Sequence, residues 1–471
     1  MKIQAKISNL IQDFIDNNDL FKIKDLHEGV IHIGFPDGMK ENIHRFESTL
    51  DQYDLDYKVY FAHKSSKNRT FVNCAKKENI YIDVASKNEL LSALKSGFTG
   101  DKIEATGPKN LDFLKLAFEN NCLISLDSKS ELERLIQIKE QSNLPDSEIQ
   151  VLIRVNSLEV NGRSIQIKES RFGVNPSQIQ SMFDLCRENN IDFQGFHFHA
   201  DGYDFTMKAG FLEAMFDLIK LSFQEGFTPS IINLGGSFRD QTLENYQDWS
   251  HYLEKIEQSM IEDQKLPTWA NQSFGLSLNN HGRIAGKEKA MSVFYNSRFE
   301  EDLRILLTQN DAENRALADV ITENMLTLVI EPGFALLQQA GISLATVIET
   351  KKASDGRNLV VLDANIYNLG LAKMFKYYTE PIHISKEQNQ NSNPEKFPAF
   401  IVGNLCREDD FIMDRLVEFD QQPKAGDILI FTNTAAYHAG FEDATPIMHP
   451  NSKFLTASKT QDNKWEVTAS N

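Results

Sequence analysis

Eight short apolar runs, spaced by helical stretches and each ending on a polar, charged or glycine residue, constrain this chain more than any other feature. They are KVYFAHK (58–64), NIYIDVAS (79–86), KIEATG (102–107), CLISLDS (122–128), QVLIRVN (150–156), FQGFHFHA (193–200), SIINLGG (230–236) and LTLVIEPG (326–333). Ser86 with Glu89, and Ser128 with Glu131, read as capping boxes that open two of the intervening amphipathic helices. Alternating strands and helices imply a parallel sheet, and eight repeats imply its closure into a (β/α)8 barrel. The residues ending the strands are Lys64, Asp83, Gly107, Asp127, Arg154, His199, Gly235 and Glu331. In such a barrel the C-terminal strand ends share one mouth, so these side chains are expected in a single pocket.

Beyond residue 340 the helical signals thin out. ISLATVIETKK, NLVVLDA, FPAFIVG, DILIFTN and KFLTAS are β-rich runs separated by turns, which predicts an antiparallel β-domain over 341–471. GVIHIGF near the N-terminus is placed with it, giving a β-domain of 1–36 plus 341–471 and a barrel of 37–340. About ninety residues separate Gly236 from Glu331, more than a βα unit needs, so an insertion is expected around 237–325. Its part near SRFEEDLRILLTQNDAENRALADVITEN reads as a charged helical excursion, and 385–397 as a polar loop. A chain of 471 residues is long enough for two such domains.

The formal charge of -18 argues against a nucleic-acid partner and against adhesion to an anionic membrane. No segment approaches the ~20 apolar residues of a membrane span. Cys74, Cys122, Cys186 and Cys406 follow no framework spacing and read as reduced thiols. With no evident secretion signal, the expected location is the cytoplasm.

Several strand ends carry chemistry. A lysine at a barrel mouth, as Lys64 is in FAHKSS, can form an imine, although any lysine taken alone reads better as a surface lysine. Gly235 and Gly236 in NLGGSF let backbone N–H groups approach a phosphate, or simply make a tight turn. Tyr437, in NTAAYH, can reach the same phosphate or sit in the β-domain core. The strand period of two sends Phe196 and Phe198 to one face and His197 and His199 to the other. His199, nearer the mouth, can stack on a flat ring; a metal site built with Asp201 is the competing reading. Glu331 can keep a pyridine nitrogen protonated, or can pair with Arg154, which can itself balance buried acids such as Asp83.

At these residues the chain closely resembles the fold type III pyridoxal-phosphate decarboxylases, the ornithine and diaminopimelate decarboxylase family, from about residue 40 to the end. FAHKSS resembles the family's A-x-K-A/S strand, and YIDVAS, SRFG, the HADG stretch and LGGSF follow in its order. IEPGF resembles E-P-G-R, GNLCREDD resembles G-x-x-C-[D/E], and NTAAYH resembles D-A-G-A-Y. The resemblance implies pyridoxal 5'-phosphate as cofactor, Lys64 as its Schiff-base lysine and Glu331 as partner of the pyridine nitrogen. It implies cofactor contacts from Asp83, Arg154, His199, Gly235, Gly236, Ser237, Gly333 and Tyr437. Cys406 is implied as the thiol that returns a proton after carbon dioxide leaves. A homodimer with shared active sites is implied as well.

Four departures bear on the substrate. Phe334 stands where the family has the E-P-G-R arginine, which removes a phosphate or substrate contact. Ser237 replaces the third glycine of the phosphate loop, and Gly202 replaces a serine. Arg407 stands where an acid reads the distal amine of ornithine. An arginine there fits an amino acid whose distal end is acylated or carries a carboxylate, such as a citryl-diamino acid of carboxylate-siderophore assembly. Glu408 or Asp409 can still supply the acid if the loop shifts register, which would suit free ornithine, lysine or diaminopimelate. An amino-acid racemase and a non-catalytic binding or regulatory protein are the other classes open to the chain.

Overall fold

A computed structural model of the chain describes residues 2–142, 149–160, 163–166, 170–200, 204–369, 379–387, 395–439 and 446–470. The expectations placed on Asp201 and Gly202, and on most of the 385–397 loop, lie outside these residues.

All eight expected strands form one closed parallel barrel: Tyr57–Ala62, Tyr81–Val84, Ile103–Ala105, Leu123–Leu126, Gln150–Arg154, Asp192–His197, Ile231–Asn233 and Thr327–Ile330. The capping residues act much as expected. Ser86 Oγ accepts from Glu89 N at 3.2 Å and Ser128 Oγ from Glu131 N at 3.2 Å. The two glutamates reach back one residue beyond the cap, accepting from Ala85 N at 2.7 Å and Asp127 N at 2.9 Å. Each satisfies a backbone donor that the strand-to-helix turn leaves without a partner.

Inside the barrel the strand period of two sorts side chains into layers. Tyr60, Leu123, Leu152, Ile231 and Val329 pack into an apolar plug, with Tyr81 against it. Two residues further along, the same strands present Asp83, Ser125, Arg154, His197, Asn233 and Glu331 to the layer above. Of these Asp83, Ser125, His197, Asn233 and Glu331 are almost fully buried, as is Glu104. Phe196 and Phe198 point outward into the large core between strands and helices.

The C-terminal sheet is mixed rather than wholly antiparallel. Gly341–Lys352 is its spine, pairing antiparallel with Ile31–Gly34, Asn358–Leu362 and Ile428–Thr432. Two pairings are parallel: Ile31–Gly34 with Lys453–Lys459, and Asn358–Leu362 with Phe397–Val402. The N-terminal strand enters the middle of the sheet, where a parallel neighbour can be supplied by chain far away in sequence.

The long segment after the seventh barrel strand divides in two. Helix Tyr246–Ile261 and the chain after it build a small core of Trp249, Tyr252, Phe274 and Phe294, into which Ile3 also packs. Trp269 fastens this unit to the β-sheet, stacked on Phe411 at 4.3 Å and lying 3.7 Å under the Arg357 guanidinium. Helix Phe299–Thr308 is no excursion. Phe299, Leu303, Leu306 and Leu307 are fully buried, Phe299 stacks on Phe46 at 3.8 Å, and the helix belongs to the barrel's outer ring. Its acidic first turn had disguised an amphipathic element: Glu300 is bound by Arg45 at 2.8 Å. Among the described residues no helix is long and apolar enough to cross a membrane.

Candidate active site

Lys64 sits in a one-turn helix, His63–Ser65, directly after the first barrel strand. Its Nζ donates to Asp83 Oδ2 at 3.0 Å. Burial works against the ammonium, but the charges of Asp83 and Glu331 outweigh it and raise the lysine above its ordinary range. Asp83 is fixed in turn by the Thr106 hydroxyl, which donates to its other oxygen.

Glu331 follows the strand Thr327–Ile330, which pairs directly with the strand before Lys64. Its Oε1 accepts from Asn233 Nδ2 at 2.7 Å and lies 3.5 Å from His197 Nε2. Burial first, and then the Asp83 charge, push its pKa up to about 7 against the opposing effect of Lys64. The same Asn233 amide contacts both oxygens of Glu104, at 2.9 and 3.1 Å. Glu104 is held far above the carboxylate range by burial, with Glu331 and Asp83 adding to the effect. His197 shares its Nδ1 with the Ser125 hydroxyl at 2.7 Å, and burial keeps the ring neutral. Its Nε2 is buried without a hydrogen-bond partner.

His199, half-buried at the rim, accepts from Gly236 N at 3.2 Å through Nδ1. Gly235 adopts φ +65°, and a Cβ there would meet His199 Nδ1 at 2.6 Å and Phe198 O at 2.8 Å. The turn thus needs glycine on both counts. Ser237 holds φ +65° with a side chain present. Gly333 serves a different purpose: a Cβ on it would lie 3.1 Å from the Tyr437 hydroxyl and 3.0 Å from Ser65 Cβ. Tyr437, also at positive φ, is tied to this point by its backbone N–H, which donates to Ser65 O at 2.7 Å. The β-domain tyrosine therefore reaches the barrel mouth beside Lys64.

The structure thus gathers Lys64, Asp83, His199, Gly235, Gly236, Ser237, Glu331, Gly333 and Tyr437. Arg154 is at the rim but pairs with neither Asp83 nor Glu331: its Nη1 lies 3.8 Å from Asp127 Oδ1, and its guanidinium covers the Phe172 ring at 4.6 Å. Cys406, Arg407, Glu408 and Asp409 stand apart on an exposed loop. The hydrogen bonds described for that loop run to residues 363–367. Arg407 grips Asp409 through two bonds of 2.9 and 2.8 Å and donates to Tyr367 OH at 2.7 Å. The other three cysteines are buried and free.

Sequence reasoning passed over Glu104, Asn233, Ser125 and Thr106. A charged residue in the middle of a buried strand, as in KIEATG, was the available signal.

His197, His199 and Glu331 lie close enough for their ligand atoms to fall within 4.8 Å of one another, so a cation is one conceivable occupant. The Lys64 ammonium works against that, because its charge already acts on Glu331. A pyridoxal phosphate fits the donor set better. It needs an amine, a glycine turn for a phosphate, an aromatic face and an acid for a ring nitrogen. The Asp83 carboxylate, with Glu331 beside the pocket, favours a cationic ring nitrogen over a neutral one.

Residues 38–268 match the family described as pyridoxal-dependent decarboxylase, pyridoxal binding domain. Protein y4yA of Sinorhizobium fredii is 26% identical over 432 residues, spanning 90% of this chain and 86% of that protein. An L-glutamyl-(BtrI acyl-carrier protein) decarboxylase of Niallia circulans is 22% identical over 440 residues, spanning 86% of this chain and 88% of its own. The crystal structure of diaminopimelate decarboxylase from M. jannaschii shares the fold, with a TM-score of 0.69, at 17% identity over 99% of this chain and 94% of that one.

Proposed function

We propose, for a chain that belongs to the pyridoxal-dependent decarboxylases, that its substrate is an amino acid whose distal end is acylated or carries a carboxylate. Pyridoxal phosphate is the cofactor, and once bound it supplies an electron sink for the pair left behind when the α-carboxylate departs.

The chain's own residues do the rest in this reading. Lys64 would anchor the cofactor, and Asp83 Oδ2, 3.0 Å away, holds and orients its ammonium. Glu331 would face the ring nitrogen and keep it protonated. Asn233 and His197 orient Glu331 without competing for its charge, since one is an amide and the other a neutral ring. The turn of Gly235 and Gly236, with Ser237 N–H and Tyr437, would hold the phosphate, and His199 would lie against the ring. Cys406 is our candidate for returning the proton to carbon. A proton donor must come within hydrogen-bond reach of the reacting atom. The exposed position of the Cys406 loop therefore favours a homodimer in which each chain lends that loop to its partner.

The substrate reading rests on one observation: an exposed guanidinium, Arg407, held flat by Asp409 and Tyr367, beside the proton-donor candidate. A guanidinium suits a carboxylate and repels an ammonium, and a substrate carboxylate would take the place that Asp409 holds on its fork. The named substrate of the Niallia relative, a glutamyl group on a carrier protein, is also an amino acid joined to something else. Asp409 beside Arg407 favours the second reading, a free diamino acid with its distal ammonium on the carboxylate. Carbon dioxide release from ornithine, lysine, diaminopimelate and a citryl-diamino acid, measured on the holoenzyme, separates the two. We expect the citryl conjugate to lead; free diamino acids turned over far better would sink the proposal.

A further inference from the structure

One buried cation has no part in the chemistry above. Lys208, on helix Phe205–Gln224, is 1% exposed. Its Nζ donates to Gly236 O at 2.6 Å and lies over the Phe205 and Phe238 rings at 4.9 and 4.7 Å. Its charge also acts on Asp302 of the outer helix, which accepts from Tyr295 OH at 3.0 Å and Ser297 Oγ at 2.8 Å.

Burying an ammonium is costly unless its charge is used, so a lysine is a poor choice for mere filling. The bond it makes has a geometric consequence. Gly236 C=O and Ser237 N–H belong to one trans peptide and point in opposite directions. With the carbonyl drawn to Lys208 on the helix side, the Ser237 N–H is turned the other way, toward the mouth. Ser237 carries this conformation at φ +65°, where a non-glycine residue is strained and must be held by its surroundings. Gly236 N–H is committed to His199, which leaves the Ser237 N–H as the donor that Lys208 aims.

We propose that Lys208 is a positioning residue for the phosphate subsite: it fixes the Gly236–Ser237 peptide and sets a positive charge behind the loop. The proposal rests on the cofactor assignment above, and its ligand is a phosphate monoester on a pyridoxal ring.

The test compares equilibrium binding of pyridoxal phosphate and of pyridoxal, followed by absorbance and fluorescence, in the full-length protein and in Lys208→Met. The variant should lose about tenfold or more in affinity for pyridoxal phosphate while pyridoxal changes by less than about twofold. Lys208→Gln, which keeps a donor but no charge, should fall between, and it carries the test if the methionine variant does not fold. Equal losses for both ligands would reduce Lys208 to a structural role, and no loss for either would overturn the proposal outright. A parent protein that binds neither ligand would overturn the cofactor assignment along with it.

Discussion

Lys64 and Asp83 close the first and second barrel strands with their charged atoms 3.0 Å apart, and the carboxylate favours the ammonium form of the amine. That relationship protects the lysine and slows it, because only the neutral amine attacks a carbonyl. Asp83→Asn removes the charge and keeps the shape. The acid limb of the pH profile for cofactor attachment should then move down by about one pH unit or more. Stopped-flow absorbance, with borohydride trapping to locate the adduct on Lys64, gives that profile. A limb that stays where it was would mean that Asp83 does not control the amine.

Glu331 makes a prediction about stability in the cofactor-free protein. Its folded-state pKa of about 7 stands above the ordinary 4.5, so the native chain binds this proton more tightly than the unfolded chain does. Stability therefore falls as pH rises from about 4.5 to 7, because the native state resists giving the proton up. Glu331→Gln should abolish that fall. Urea unfolding should show the variant gaining on the parent across this window, by up to about 3 kcal/mol above pH 7 and by little near pH 4. A difference that does not change with pH would show that Glu331 titrates normally.

Asn233 joins two buried carboxyl groups through one amide nitrogen. Asn233→Leu keeps the volume and strands both acids, so unfolding free energy should drop by about 2–3 kcal/mol. A loss under about 0.5 kcal/mol would mean that Glu104 and Glu331 find each other directly as an acid and its carboxylate.

The barrel was legible because its strands are short, apolar and closed by polar residues, and a parallel strand buried on both faces leaves little room for ambiguity. Lys64, Asp83 and Glu331 were legible for the same reason, as charges at the ends of such runs. Glu104 was not, because a mid-strand charge looks like an error until the barrel's inner face is seen to be polar one layer above the plug. Lys208 was hidden more deeply: on a helix rich in phenylalanine a lysine reads as the solvent side, and only the fold turns it toward Gly236. The parallel pairing of Ile31–Gly34 with Lys453–Lys459 joins segments some four hundred residues apart, and no local pattern encodes such a contact.

The placement of Cys406 gives a sharp expectation about assembly. Lys64 lies at the barrel mouth, whereas Cys406 and Arg407 lie on an exposed loop bonded to residues 363–367. If each active site takes Lys64 from one chain and Cys406 from another, then Lys64→Ala and Cys406→Ala are each inactive alone for different reasons. Mixed after gentle dissociation and reassociation, they form heterodimers in which one site carries both lesions and the other carries neither. Random pairing makes half the dimers mixed, so carbon dioxide release should recover to about one quarter of the parent rate. Were Cys406 to serve the pocket of its own chain, every site in the mixture would keep one lesion and no activity would return.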